Sequence, residues 1–213
     1  MRTRCDRLFV AALLACAGCG TYTTYQTAEP LPRGRWQGSL AVTPGLFVDV
    51  PASTPTPTVI NELAVRYGVG GDTDIGAKIY SVGGELSVRH RVGTGPWQWA
   101  LLGAVAWART DEQAGTTEAW LGQLRLGGVI TRRTSTRWAF SFGPALTGSA
   151  YTFAGGGNAQ GLLLGAFGNA QWTFGEARRW HLIPELSVHA TVAGDVPVDG
   201  FVTMLGLAIA RDF

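Results

Sequence analysis

Phe201-Val202-Thr203-Met204-Leu205-Gly206-Leu207-Ala208-Ile209-Ala210-Arg211-Asp212-Phe213 is the stretch that decides the fold. Phe201, Leu205, Leu207, Ile209 and Phe213 occupy odd positions, whereas Gly206, Ala208, Ala210 and Asp212 occupy even ones. A period of two, bulky on one face and small or polar on the other, describes a strand meeting two different solvents. Bulk outside and smallness inside suits a membrane-barrel strand, whose outer face meets lipid and whose inner face meets a narrow lumen.

Composition agrees. Of 213 residues, 46% are apolar and 15% charged, with 30 glycines; ordinary soluble domains carry roughly 25% charged residues. No run of about 18 apolar residues exists, so the hydrophobicity is not spent on a membrane helix. Alternate positions carry it instead, as a transmembrane barrel requires. Without the charged residues of its first seven positions, the chain has 14 basic and 14 acidic side chains, which gives no electrostatic basis for nucleic acid.

Ten alternating segments separated by turn residues follow position 34, near Arg35–Thr43, Ile60–Gly68, Asp74–Ser81, Glu85–Val92, Trp97–Ala108, Glu118–Thr131, Arg137–Ala150, Gln160–Phe174, Trp180–Val192 and Phe201–Phe213. Tight turns follow the even segments and mostly longer loops the odd ones, Pro44–Val59 among them. The expected fold is an all-β, up-and-down antiparallel transmembrane β-barrel over 35–213, of about ten strands, with eight or twelve still open. The short turns then face the periplasm. Trp36, Trp97, Trp99, Trp138, Trp172 and Trp180 fall near those turns, and Trp107 and Trp120 near the other rim. Such interfacial placement suits rings that are apolar with one polar handle. A soluble barrel would bury them at mid-strand.

With Leu101 and Leu207 facing lipid, the lumen receives Glu62, Arg66, Lys78, Glu85, Arg89, Arg125, Glu185 and His189, together with Arg35, Gln37, Asp74, Arg91, Gln98, Gln123, Arg137 and His181. Isolated charges in a narrow interior are costly. Glu62, Glu85 and Glu185 are therefore expected to pair with Arg66, Arg89 and Arg125 as a charged plug; a narrow passive pore for small solutes is the alternative. Glu185, Ser187 and His189 share one strand face, about 7 Å apart at each step. They form the one constellation to weigh as an envelope lipid hydrolase, and ordinary lumen polarity accounts for them better. No zinc cluster, phosphate-binding loop or cofactor motif is present, and the expectation is a non-enzyme. The outer loops give little basis for an adhesin, since Pro44–Val59 holds a single charge, Asp49.

Residues 1–18 read as a secretion signal, with Arg2, Arg4 and Arg7 preceding an apolar Leu8–Ala15. Ala17-Gly18-Cys19 resembles the lipobox of bacterial lipoproteins, which implies a lipidated Cys19; Cys16, in Leu13-Leu14-Ala15-Cys16, is the alternative, and plain cleavage after Ala17 a third reading. Residues 19–34 read as a periplasmic tether. Phe213 resembles the C-terminal signal by which outer-membrane barrels engage their assembly machinery. Leu63-Ala64-Val65-Arg66-Tyr67-Gly68 followed by Asp74-Ile75-Gly76-Ala77-Lys78 resembles the strand–turn–strand unit of small bacterial outer-membrane β-barrels. That resemblance implies the outer membrane as location and its lipids as partners. It identifies no substrate and no oligomeric state.

Overall fold

A computed structural model of the chain describes residues 22–49, 55–110, 118–194 and 200–213. The signal peptide, Cys16 and Cys19 lie outside them. Ten antiparallel strands form one closed sheet: β1 (Trp36–Asp49), β2 (Pro55–Gly70), β3 (Thr73–Tyr80), β4 (Gly83–Gly93), β5 (Trp97–Thr110), β6 (Ala119–Arg133), β7 (Trp138–Phe153), β8 (Asn158–Phe174), β9 (Trp180–Gly194) and β10 (Gly200–Asp212). Each strand pairs with its neighbours in sequence. Closure comes from β1 against β10, with Gln37 opposite Asp212 and Leu40 opposite Ile209. Tight turns and both ends of the barrel chain lie on one rim, here the turn rim; the remaining connections lie on the loop rim. The β2–β3 turn shows why it is short. Gly71 (φ 60°) and Asp72 (φ 58°) are both left-handed, as a two-residue hairpin matched to strand twist requires.

Exposure follows the alternation and inverts the pattern of a soluble protein. Leu40, Ile79 and Leu205 are each 60% exposed, while Met204 and Ala208, on the other face of β10, are 0%. Leu101 and Leu207 face outward as expected. Dozens of large apolar side chains make one continuous outer band, far beyond the few hundred Å² of apolar patch a soluble monomer exposes. Among the described residues no helix is long and apolar enough to cross a membrane; the strands do so.

Two expectations are corrected here. Most of Pro44–Val59 is not a loop, because β1 continues to Asp49 and β2 begins at Pro55. The prolines are accommodated by register. Pro44 stays paired with Val59 of β2, while the β1–β10 ladder is interrupted between Val42↔Leu207 and Gly45↔Met204. Pro144 and Pro184 repeat the arrangement, each at a two-residue gap in one ladder and paired in the other. The missing N–H is thereby confined to one side. The second correction concerns the tether. Of its described part, 22–31 runs inside the barrel, and 32–34 lie exposed at the turn rim.

The filled lumen as candidate functional site

The inner segment descends from the loop rim to the turn rim, and its contacts follow in chain order. Tyr22 packs on His189, ring centroids 4.8 Å apart, within an apolar layer that includes Phe47, Ile60, Tyr80, Leu163 and Met204. Below it, Thr23 donates to Glu62 at 2.7 Å, and its carbonyl accepts from Lys78 at 3.1 Å and Arg125 at 3.2 Å. The backbone amides of Thr24 and Tyr25 both donate to Glu185 at 2.6 Å. Further down, the Thr27 carbonyl accepts from Arg89 at 2.7 Å, the Ala28 amide donates to Thr131 at 2.6 Å, and Glu29 pairs with Arg133. The Leu31 amide donates to Asp74 at 2.9 Å, after which the chain turns into β1. An extended segment has unpaired backbone groups along its whole length. Inward-facing charged side chains are long enough to meet them.

The expected network residues all face the lumen, but their pairing differs from the expected one. Glu85 pairs with Arg125 as anticipated. Glu62 instead pairs with Lys78 at 2.9 Å, and Lys78 reaches Glu85 at 3.7 Å. Arg66 and Arg89 converge on Asp74, which accepts from their Nε atoms at 3.0 and 3.1 Å; Arg66 also donates to Ser87 at 3.1 Å. Among the described residues Glu185 pairs with no arginine. Its carboxylate is satisfied by the two amides, the Thr24 hydroxyl at 3.0 Å and Asn169 at 3.1 Å. The reason is placement, for Glu185 stands on β9, opposite Gly206 of β10 and Asn169 of β8, neither of which is basic. Arg35 and Arg137 lie exposed at the turn rim rather than in the lumen.

Four buried carboxylates (Glu62, Asp74, Glu85, Glu185) thus face four buried cations (Arg66, Lys78, Arg89, Arg125). The interior is charge-balanced and nearly full. Two cavities beside Thr24 and Gln26 measure about 30 and 20 Å³, each with room for about one water. Ser187 and His189 are both 1% exposed and face this interior, away from lipid. No hydrogen bond links either of them to Glu185, whose carboxylate the inner segment occupies. The sequence reading missed both the inner segment and the apolar layer above it. A signal for the layer existed in Val202 and Met204, apolar residues on the otherwise small face of β10.

No protein-family model matches the chain, and no curated protein matches it by sequence. Solved structures do. The outer membrane protease OmpT from Escherichia coli aligns over 89% of this chain and 100% of its own, with a TM-score of 0.52 and 8% identity. Neisserial surface protein A aligns over 85% and 100%, with a TM-score of 0.49 and 9% identity. Ail, the attachment invasion locus protein of Yersinia pestis, aligns over 85% and 99%, at 0.44 and 10%. Identities this low speak for the fold alone. Together with the lipid-facing band, that fold makes this chain a transmembrane β-barrel of the bacterial outer-membrane type.

Proposed function

We propose that the chain is a structural, non-enzymatic barrel of the outer membrane, closed by its own N-terminal segment and lipid-anchored through Cys19. The supporting observation is the occupation of the lumen by Tyr22–Leu31, whose backbone and side chains meet Glu62, Asp74, Arg89 and Glu185. A solute path would have to displace these contacts and cross the apolar layer around Phe47 and Met204. Buried hydrogen bonds to charged groups contribute about 1.5–3 kcal/mol each, so their joint loss is a high barrier. The hydrolase alternative needs a nucleophile open to lipid, and Ser187 faces inward. Outer-membrane lipids surround the apolar band, and Phe213, following β10, is the proposed contact for the assembly machinery. Planar-bilayer recording on the refolded chain tests this reading. Silence is expected, and a steady ion-selective current overturns it in favour of a pore.

A further inference from the structure

The turn rim holds nine arginines against four carboxylates. Two of those carboxylates are taken locally, Asp72 by Arg91 and Glu29 by Arg133, and Asp212 turns inward to His181 at 3.0 Å. At the loop rim, among the described residues, Arg109 pairs with Glu118 at 2.8 Å. Exposed basic charge is thus concentrated at the turn rim.

The basic rim is also ordered. Arg132 near the end of β6, Arg137 in the β6–β7 turn, Arg178 and Arg179 in the β8–β9 turn, Arg211 near the end of β10 and Arg35 before β1 follow one another around half the barrel. All six are exposed, and among the described residues Arg137, Arg178 and Arg179 form no ion pair with a carboxylate. A ledge of aromatic rings lies beneath them. Trp138 stacks on Trp172 at 6.2 Å and Trp172 on Phe174 at 4.8 Å. Two arginines of the arc lie over further rings of the same rim: Arg132 lies 5.2 Å from the Trp97 ring centroid, and Arg211 lies 5.1 Å from Trp180 and 5.0 Å from Phe213. Interfacial Trp rings settle at headgroup depth. Guanidinium groups lying over such rings are held at that depth, within reach of phosphates, which they bind through paired N–H donors.

We propose that this arc is a collar for anionic phospholipid headgroups of the phosphatidylglycerol class, in the leaflet around the turn rim. Charge complementarity selects the occupant. A zwitterionic headgroup offers a phosphate but returns a cation beside it, whereas an anionic one leaves its charge to the arginines. Each arginine near a membrane surface favours anionic lipid by about fivefold.

Six of the eight tryptophans stand at the turn rim, so quenching of intrinsic fluorescence reads this leaflet. The full chain is refolded into phosphatidylcholine vesicles containing small fractions of brominated phosphatidylglycerol or brominated phosphatidylcholine. Brominated phosphatidylglycerol is expected to quench at a several-fold lower fraction. The preference should shrink in about 0.5 M NaCl, where the screening length falls to a few ångströms. A folded Arg137→Gln/Arg178→Gln/Arg179→Gln variant should lose most of it. Equal quenching by the two lipids in the wild-type chain overturns the proposal whether or not the variant folds. An undiminished preference in the folded variant overturns the assignment to this arc. Inorganic phosphate should compete no better than chloride at equal ionic strength; selective competition would indicate a free-phosphate site instead. Bilayer silence is measured separately, so failure here leaves the closed-barrel reading untouched.

Discussion

The hydroxyl of Tyr25 occupies the place where a side chain at Gly206 would begin. It shares a hydrogen bond of 2.5 Å with Thr43, and register sets Thr43 opposite Gly206 at the interruption between Val42↔Leu207 and Gly45↔Met204. Wall and inner segment are therefore fitted to each other where the β1–β10 ladder is interrupted.

Gly206→Val tests that fit. Its methyl groups must displace the Tyr25 ring, and overpacking of this kind costs about 1–3 kcal/mol. Urea unfolding of the refolded barrel should show a lower midpoint, and adding Tyr25→Ala should make the two effects non-additive. Additive losses would mean that Tyr25 does not sit against Gly206 in the membrane.

Asp74 and Glu185 provide a contrast between two kinds of buried carboxylate. Asp74 neutralises Arg66 and Arg89, so Asp74→Asn leaves two buried guanidinium groups short of a counter-charge and should destabilise the barrel by about 3–5 kcal/mol. Glu185→Gln removes no ion pair. It presents an amide to donors that need an acceptor, with an expected loss of about 1–3 kcal/mol. Denaturant titration of both variants checks the order. A larger effect at Glu185 would reveal a cationic partner there.

What the sequence made legible was whatever depends on neighbours along one strand. Alternation in β10 assigned Leu207 to lipid and Ala208 to the interior without knowledge of any other strand, and the inward charges followed in the same way. Pro44 was misread because its tolerance depends on which of two ladders it faces, a matter of register across β2 and β10. The inner segment was misread for a related reason. Thr23, Thr24, Tyr25 and Gln26 are as polar as a linker, and what distinguishes them is the carboxylates that their backbone meets. One trace was available: Glu185 had no basic residue across from it on β8 or β10, so some other donor had to satisfy it.

The lipid anchor can be checked directly. Cys19→Ser is expected to abolish labelling by a radiolabelled fatty acid, whereas labelling lost only with Cys16→Ser would move the anchor. Chain direction adds a second measurement. Tyr22 already stands in the loop-rim layer, so an epitope inserted after residue 20 should be reached by antibody on intact cells. Recognition only after permeabilisation would contradict the downward path of residues 22–34.

Removing residues 22–31 separates the two seals of the lumen. The shortened barrel keeps Asp74 with Arg66 and Arg89, and Glu85 with Arg125. Glu185 retains only Asn169, and water must enter to solvate it. Tyr22 also leaves the apolar layer, where it packs among Phe47, Ile60 and Met204. The expected result is a barrel of lower stability that conducts in planar bilayers. Its lumen keeps four fixed charges of each sign, so reversal potentials in a salt gradient should show weak selectivity rather than a strong preference for cations or anions. Strong cation selectivity would mean that arginines such as Arg89 and Arg125 are not exposed to the path. A silent barrel would assign the seal to Phe47, Ile60, Tyr80, Leu163 and Met204 on the strands themselves, and leave the inner segment the role of satisfying Glu185 and Asp74.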